Sequence, residues 1–183
     1  MSKQKYYSTS SGDVLASANR SLGTTMKTAV ATYYQGQDME TAQTILDAVD
    51  PVHTSFTLEL VPDIFPHTCD SYLDLLRAVD RKGFGVHFDL ANITVTPYHC
   101  FRNAELIHEC VEKLGPYIKS CHAKDVMITK GMVVHIGETR PGLGHLDYPA
   151  LIRAINRLDP DMPLMMEHLS SNQEYLQAAE YIR

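Results

Sequence analysis

The chain has 183 residues, with 22 acidic and 16 basic side chains, a formal net charge of −6 and 44% apolar residues. That length suits one domain able to bury about 70% of its unfolded surface, and it excludes two large ones. No apolar run approaches the roughly 20 residues of a membrane helix, and a negative chain is repelled by polyanions, so neither membrane nor nucleic acid is an expected partner.

The first residues, MSKQKYYSTSSGD, have no apolar stretch behind their lysines and therefore no secretory signal, which makes the cytoplasm the expected location. VLASANRSLG (14–23) spaces its apolar residues as a helix does and closes on glycine, and MKTAVATYY (26–34) has the composition of a strand. METAQTILDAV is helical again, and SFTLELV (55–61) is a short apolar strand ended by Pro62. The same alternation then repeats. DSYLDLLRAVDRKG (70–83) predicts a helix, FGVHFDL (84–90) a strand, FRNAELIHECVEKLG a helix and YIKSCHAK (117–124) a strand. A loop of about twenty residues follows, holding a short strand at Met132–Ile136 and a Pro-Gly-Leu-Gly turn at 141–144. YPALIRAINRL predicts a helix, PLMMEHL (163–169) the last strand and NQEYLQAAEYIR the last helix. Five strands alternating with helices imply parallel pairing through right-handed crossovers, and no linker divides the chain.

Cys69, Cys100, Cys110 and Cys121 show no CxxC spacing and sit in apolar segments, which predicts four reduced thiols. The histidines, nine in all, are more numerous than this length usually carries and point to site chemistry.

The last four strands each carry a charged or metal-capable residue near the C-terminal end: Glu59, Asp89, His122 and Glu167. The intervals of 30, 33 and 45 residues are each about one strand-helix unit, the long loop accounting for the largest. Adjacent parallel strands would gather these side chains at the end of the sheet where α/β folds place their sites. Three carboxylates and an imidazole taken out of water must hold a cation, share protons or turn outward to solvent. One divalent metal is the simplest resolution. The oxygen-rich set with one nitrogen suits Mn²⁺, Mg²⁺ or Co²⁺ about as well as Zn²⁺.

TLELVPD, HFDLAN, SCHAKDV, PGLGHLDY and LMMEHL together resemble the second half of the sugar phosphate isomerase/epimerase superfamily, the xylose isomerase-like (β/α)₈ barrels. The resemblance runs from about Leu15 to the C-terminus. It implies a partial TIM barrel in a single domain over 1–183, comprising family strands four to eight without the first three strand-helix units. It further implies that Glu59, Asp89, His122 and Glu167 hold one divalent metal, and that Glu59 and Glu167 move protons as acid and base. The implied reaction is isomerisation or epimerisation of a small sugar, polyol or sugar phosphate through an enediolate, with the metal as electrophile.

Three further residues are candidates for substrate contact. Asn92 lies three residues after Asp89; the alternative is a plain turn role. Lys124 shares a strand face with His122, which aims its ammonium at the site, unless it pairs with Asp125 or lies at the rim. Arg140 precedes the Pro-Gly turn and could close over an anionic substrate; the commoner case is a solvated loop arginine. His87 lies one layer below Asp89 and reads as a core histidine, His168 should alternate away from Glu167 to pack under a helix, and Cys121 should face away from the site. His135 and His145 lie in the long loop without an assigned role.

Two other functions compete. The nuclease branch of the same fold carries a His three residues after the strand-six Asp and an Asp-x-His pair before the Gly-rich turn, where this chain has Asn92 and Val133-Val134-His135. The second alternative is a catalytically impaired fragment or binding protein, because a complete barrel takes about 250 residues. An open sheet exposes two edges, which calls for a second copy of the chain or another polypeptide to cover them.

Overall fold

A computed structural model describes residues 6–8, 39–62, 65–131 and 133–183. Its centre is a five-stranded, wholly parallel sheet built from β1 (Tyr6–Ser8), β2 (Phe56–Glu59), β3 (Phe84–Phe88), β4 (Ile118–His122) and β7 (Leu164–Met166), in the order β1-β7-β4-β3-β2. Four of these strands stand where the sequence predicts them. The predicted strand 26–34 and the predicted helix 14–23 lie outside the described residues, and the fifth described strand, the tripeptide Tyr6–Ser8, pairs with β7. A three-residue strand in a polar segment has no periodicity to betray it.

The helices follow from their caps and apolar stripes. α1 (Met39–Val49) buries Ala42, Ile45 and Leu46. α2 (Cys69–Val79) opens on a capping box in which Thr68 and Ser71 satisfy each other's backbone N–H groups, and it buries Tyr72, Leu75, Leu76 and Val79. Two short helices unforeseen in the sequence, α3 (Leu90–Ile93) and α4 (Pro97–Phe101), precede α5 (Asn103–Leu114). α6 (Tyr148–Leu158) buries Tyr148, Leu151 and Ile155, one stripe at helical spacing, and α7 (Asn172–Ile182) ends the chain. Consecutive helices α1, α2, α5 and α6 pack side by side, as the outer layer of a barrel does. β3, in mid-sheet, is buried at every position, which is why its sequence FGVHF runs apolar without alternating.

The thiol expectation needs correction. Cys69 and Cys110 are joined as a disulfide linking α2 to α5, their Cα atoms 5.7 Å apart, while Cys100 and Cys121 remain free and buried. The two partners are 41 residues apart, on helices that meet only through the tertiary fold, so cysteine spacing held no sign of the pair. Among the described residues no helix is long and apolar enough to cross a membrane.

The segment predicted as a long loop with one short strand is mostly an antiparallel hairpin, β5 (Asp125–Thr129) with β6 (His135–Thr139), standing apart from the main sheet. The Pro-Gly-Leu-Gly turn behind it is organised by Asp125. That buried carboxylate accepts backbone N–H groups from Val126, Gly142, Gly144 and Leu146 at 2.8–3.1 Å. A Cβ at Gly144 would collide with the Asp125 carboxylate and the Val126 carbonyl, and Gly142 has φ +91° with the Tyr181 ring against it, so both glycines are required here.

Candidate metal centre

The four predicted ligands meet at the C-terminal end of the sheet. Glu59 and His122 are the last residues of β2 and β4, Asp89 directly follows β3, and Glu167 directly follows β7. One donor atom from each lies within 4.8 Å of all the others. His122 Nδ1 is 3.0 Å from Glu59 Oε1, 3.0 Å from Asp89 Oδ2 and 3.4 Å from Glu167 Oε1. Ligand atoms around a Mg²⁺- or Zn²⁺-sized ion stand roughly 3–4.4 Å apart, so three carboxylate oxygens and one imidazole at these separations fit one divalent ion.

Asp89 is fully buried and caps α3, accepting from Asn92 N at 3.1 Å through Oδ1 and leaving Oδ2 to the cluster. Asn92 does more than turn the chain. Its side-chain amide donates to Glu59 Oε1 at 2.9 Å and so fixes that carboxylate. Lys124, nearly sealed from solvent, projects its ammonium into the same group, 2.9 Å from Asp89 Oδ2, 3.7 Å from Glu59 and in direct contact with Glu167. It does not pair with Asp125, whose oxygens the backbone of the turn already occupies.

These contacts set the charge states. Burial works against the charge on His122, but its hydrogen bonds to Asp89 and Glu59, with their charges, raise it to about 9. Burial likewise opposes ionisation of Asp89, and His122 and Lys124 overcome it, holding the carboxyl below the usual range. Lys124 is held above the ordinary lysine value because the Asp89 charge and the contact with Glu167 outweigh its burial. His87 goes the other way: burial first, then the neighbouring His122, lowers it to about 3 and keeps it neutral. Its Nδ1 shares a hydrogen bond with Ser120 Oγ at 2.6 Å, and its ring meets His122 edge-on with the centroids 4.1 Å apart, so this core histidine also braces the His122 ring.

Arg140 lies outside this group, close enough to Glu174 on α7 to help hold that carboxyl below its usual range, behind the hydrogen bonds from Ser170. The expectation for His168 is overturned. β7 stops at Met166, and His168 takes a left-handed backbone conformation (φ 59°) that breaks the strand alternation. Half-exposed rather than packed under a helix, it lies 3.7 Å from Glu167 Oε1 and 3.1 Å from Glu138 Oε2. Glu138 itself escaped sequence reading, because only the unforeseen hairpin carries it to the site.

The arrangement of parallel strands with an outer layer of helices has a counterpart among known proteins. The family model described as xylose isomerase-like TIM barrel matches residues 21–183. The chain belongs to this family. A xylose isomerase-like TIM barrel protein from Mycobacterium smegmatis, solved in complex with magnesium, is 22% identical over 79% of this chain and 47% of its own, with a TM-score of 0.61. A D-psicose 3-epimerase from Clostridium cellulolyticum, solved with D-tagatose, is 13% identical over 79% of this chain and 54% of its own, at 0.58. A probable 3-DHS dehydratase involved in petrobactin synthesis in Bacillus anthracis is 16% identical over 96% of this chain and 74% of its own, at 0.59. This xylose isomerase-like chain thus spans about half the length of the first two. At such identities the likeness is one of fold. No curated protein matches the chain in sequence.

Proposed function

We propose that the chain is a divalent-metal-dependent isomerase or epimerase of a small carbohydrate, with Glu59 and Glu167 as the acid/base pair. The observation that carries this is the difference among the carboxylates: Asp89 is sealed, whereas the side chains of Glu59 and Glu167 retain 20% and 13% exposure while reaching the same centre from different strands. Two carboxylates open to a substrate can take a proton from one side of a carbon and return it on the other. The D-psicose 3-epimerase fold neighbour supports the same class of chemistry.

A divalent ion held by Glu59, Asp89, His122 and Glu167 would supply the positive charge that an enediolate needs. The chain provides the rest. Asn92 anchors one oxygen of Glu59, His87 orients His122, and the Lys124 ammonium offsets one of the three carboxylate charges, so a doubly charged cation leaves the group neutral. Asn92, which lines the cavity beside this group, also lies where a substrate hydroxyl could reach it, whereas Lys124 is closed in by the three carboxylates.

The test is solvent deuterium incorporation next to the carbonyl in ketoses and ketose phosphates, with Mn²⁺, Mg²⁺, Co²⁺ or Zn²⁺ added. Exchange that disappears in Glu167→Gln is the expected result. Metal uptake without exchange at any substrate carbon would overturn the isomerase reading in favour of a binding protein, the alternative that the half-length match to relatives keeps in play.

A further inference from the structure

We propose that this site takes an uncharged carbohydrate rather than a phosphorylated or carboxylated one, and that Glu138 is the side chain that discriminates. The inference rests on the isomerase reading of the same site. A cavity of about 480 Å³ lies between α3, the β5–β6 hairpin and Pro62, a size usual for small-molecule sites. It adjoins the metal centre at two points. Asn92 lines it and bonds Glu59; Glu138 lines it and bonds His168, which touches Glu167.

The chemistry of its wall is one-sided. Asn92, Thr94, His135 and Glu138 offer amide, hydroxyl, imidazole and carboxylate to hydroxyl groups, and Val126 and Ile136 are among the apolar residues that suit the C–H face of a sugar. Among the described residues no lysine or arginine lines the cavity. Anion sites are made of guanidinium, ammonium or convergent backbone N–H groups. The ammonium within the centre is already engaged, Lys124 being enclosed by three carboxylates. A phosphate dianion in this cavity would face Glu138 with no lysine or arginine of the described wall beside it, whereas a neutral polyol would find in the same carboxylate a hydrogen-bond acceptor.

The experiment titrates the Mn²⁺-loaded protein with D-fructose and with D-fructose 6-phosphate by calorimetry, and follows deuterium uptake into each. The free ketose is expected to bind at least about tenfold more tightly, with Glu138→Gln narrowing that ratio and Glu138→Lys reversing it, at low salt where charge effects are unscreened. Circular dichroism confirms that both variants are folded. Tighter binding of the phosphorylated ketose, or a ratio unmoved by Glu138→Gln, would overturn the proposal. If the phosphate ester alone exchanges deuterium, the charge inference fails and the isomerase reading stands. If the free ketose binds as expected without exchange, the isomerase reading fails and the specificity stands. Binding of neither overturns both.

Discussion

The two ends of the parallel sheet carry similar charges under opposite conditions. At the N-terminal end, Arg81 and Asp47 form a two-pronged pair, with 37% and 56% of their side chains exposed, beside an open recess lined by Lys82 and Lys119. At the C-terminal end, Asp89 and Lys124 are joined with 0% and 3% exposed, among three further ionisable groups. An exposed pair trades one hydrated state for another and gains little, whereas buried charges have given up their water and depend on each other or on a bound ion. Ion pairs thus count as surface detail at one end and as members of one buried, mutually dependent group at the other.

The hardest break of this contrast is Asp89→Ala. It leaves His122 and Lys124 without their most buried counter-charge, and urea denaturation of the metal-free protein should show a loss of roughly 3–5 kcal/mol. Calorimetric Mn²⁺ affinity should fall well over tenfold. A variant as stable as the parent and still binding Mn²⁺ would show that burial at this end does not couple the charges.

A pH series in chelator sharpens the comparison by a smaller amount. His122 titrates at about 9 in the folded protein against 6.5 as its ordinary value. A raised folded value means that its contribution is complete below pH 6.5 and is lost as pH climbs through 9, on the order of 3 kcal/mol. The metal needs the neutral ring, so Mn²⁺ uptake at pH 7.5 should expel a proton from His122, detectable as a heat that depends on buffer. A flat stability profile over that range, with no proton released, would contradict the charge state assigned to His122.

The smallest effect is expected at the other end. Arg81→Ala should leave both the denaturation midpoint and Mn²⁺ affinity essentially unchanged. A marked loss in either would show that the recess at the N-terminal end has a role of its own.

Much of this was legible in the chain because it is local. Helical spacing marked α1, α2, α5, α6 and α7, and apolar runs marked β2, β3, β4 and β7. Once those strands are parallel, residues at their C-terminal ends must converge, and Glu59, Asp89, His122 and Glu167 do. Lys124 followed from strand alternation beyond His122. Alternation then misled at His168, where the strand had already ended and a left-handed backbone turned the ring toward Glu138. The hairpin was half missed because β5, DVMIT, pairs with β6 and not with the main sheet, and its outward face lacks a strong apolar pattern.

The sequence by itself determined the order of strands and helices and which side chain stands at each strand end, since both depend on periods of two and 3.6 residues within short segments. Only the tertiary structure decided who meets whom across long separations. It joined Cys69 to Cys110, spent Asp125 on the glycine turn, set Lys124 among three carboxylates and brought Glu138 to the wall of the cavity. Each of these contacts depends on register, crossover and the point at which a strand stops. Those are settled by packing the whole chain at once, and no local period records them.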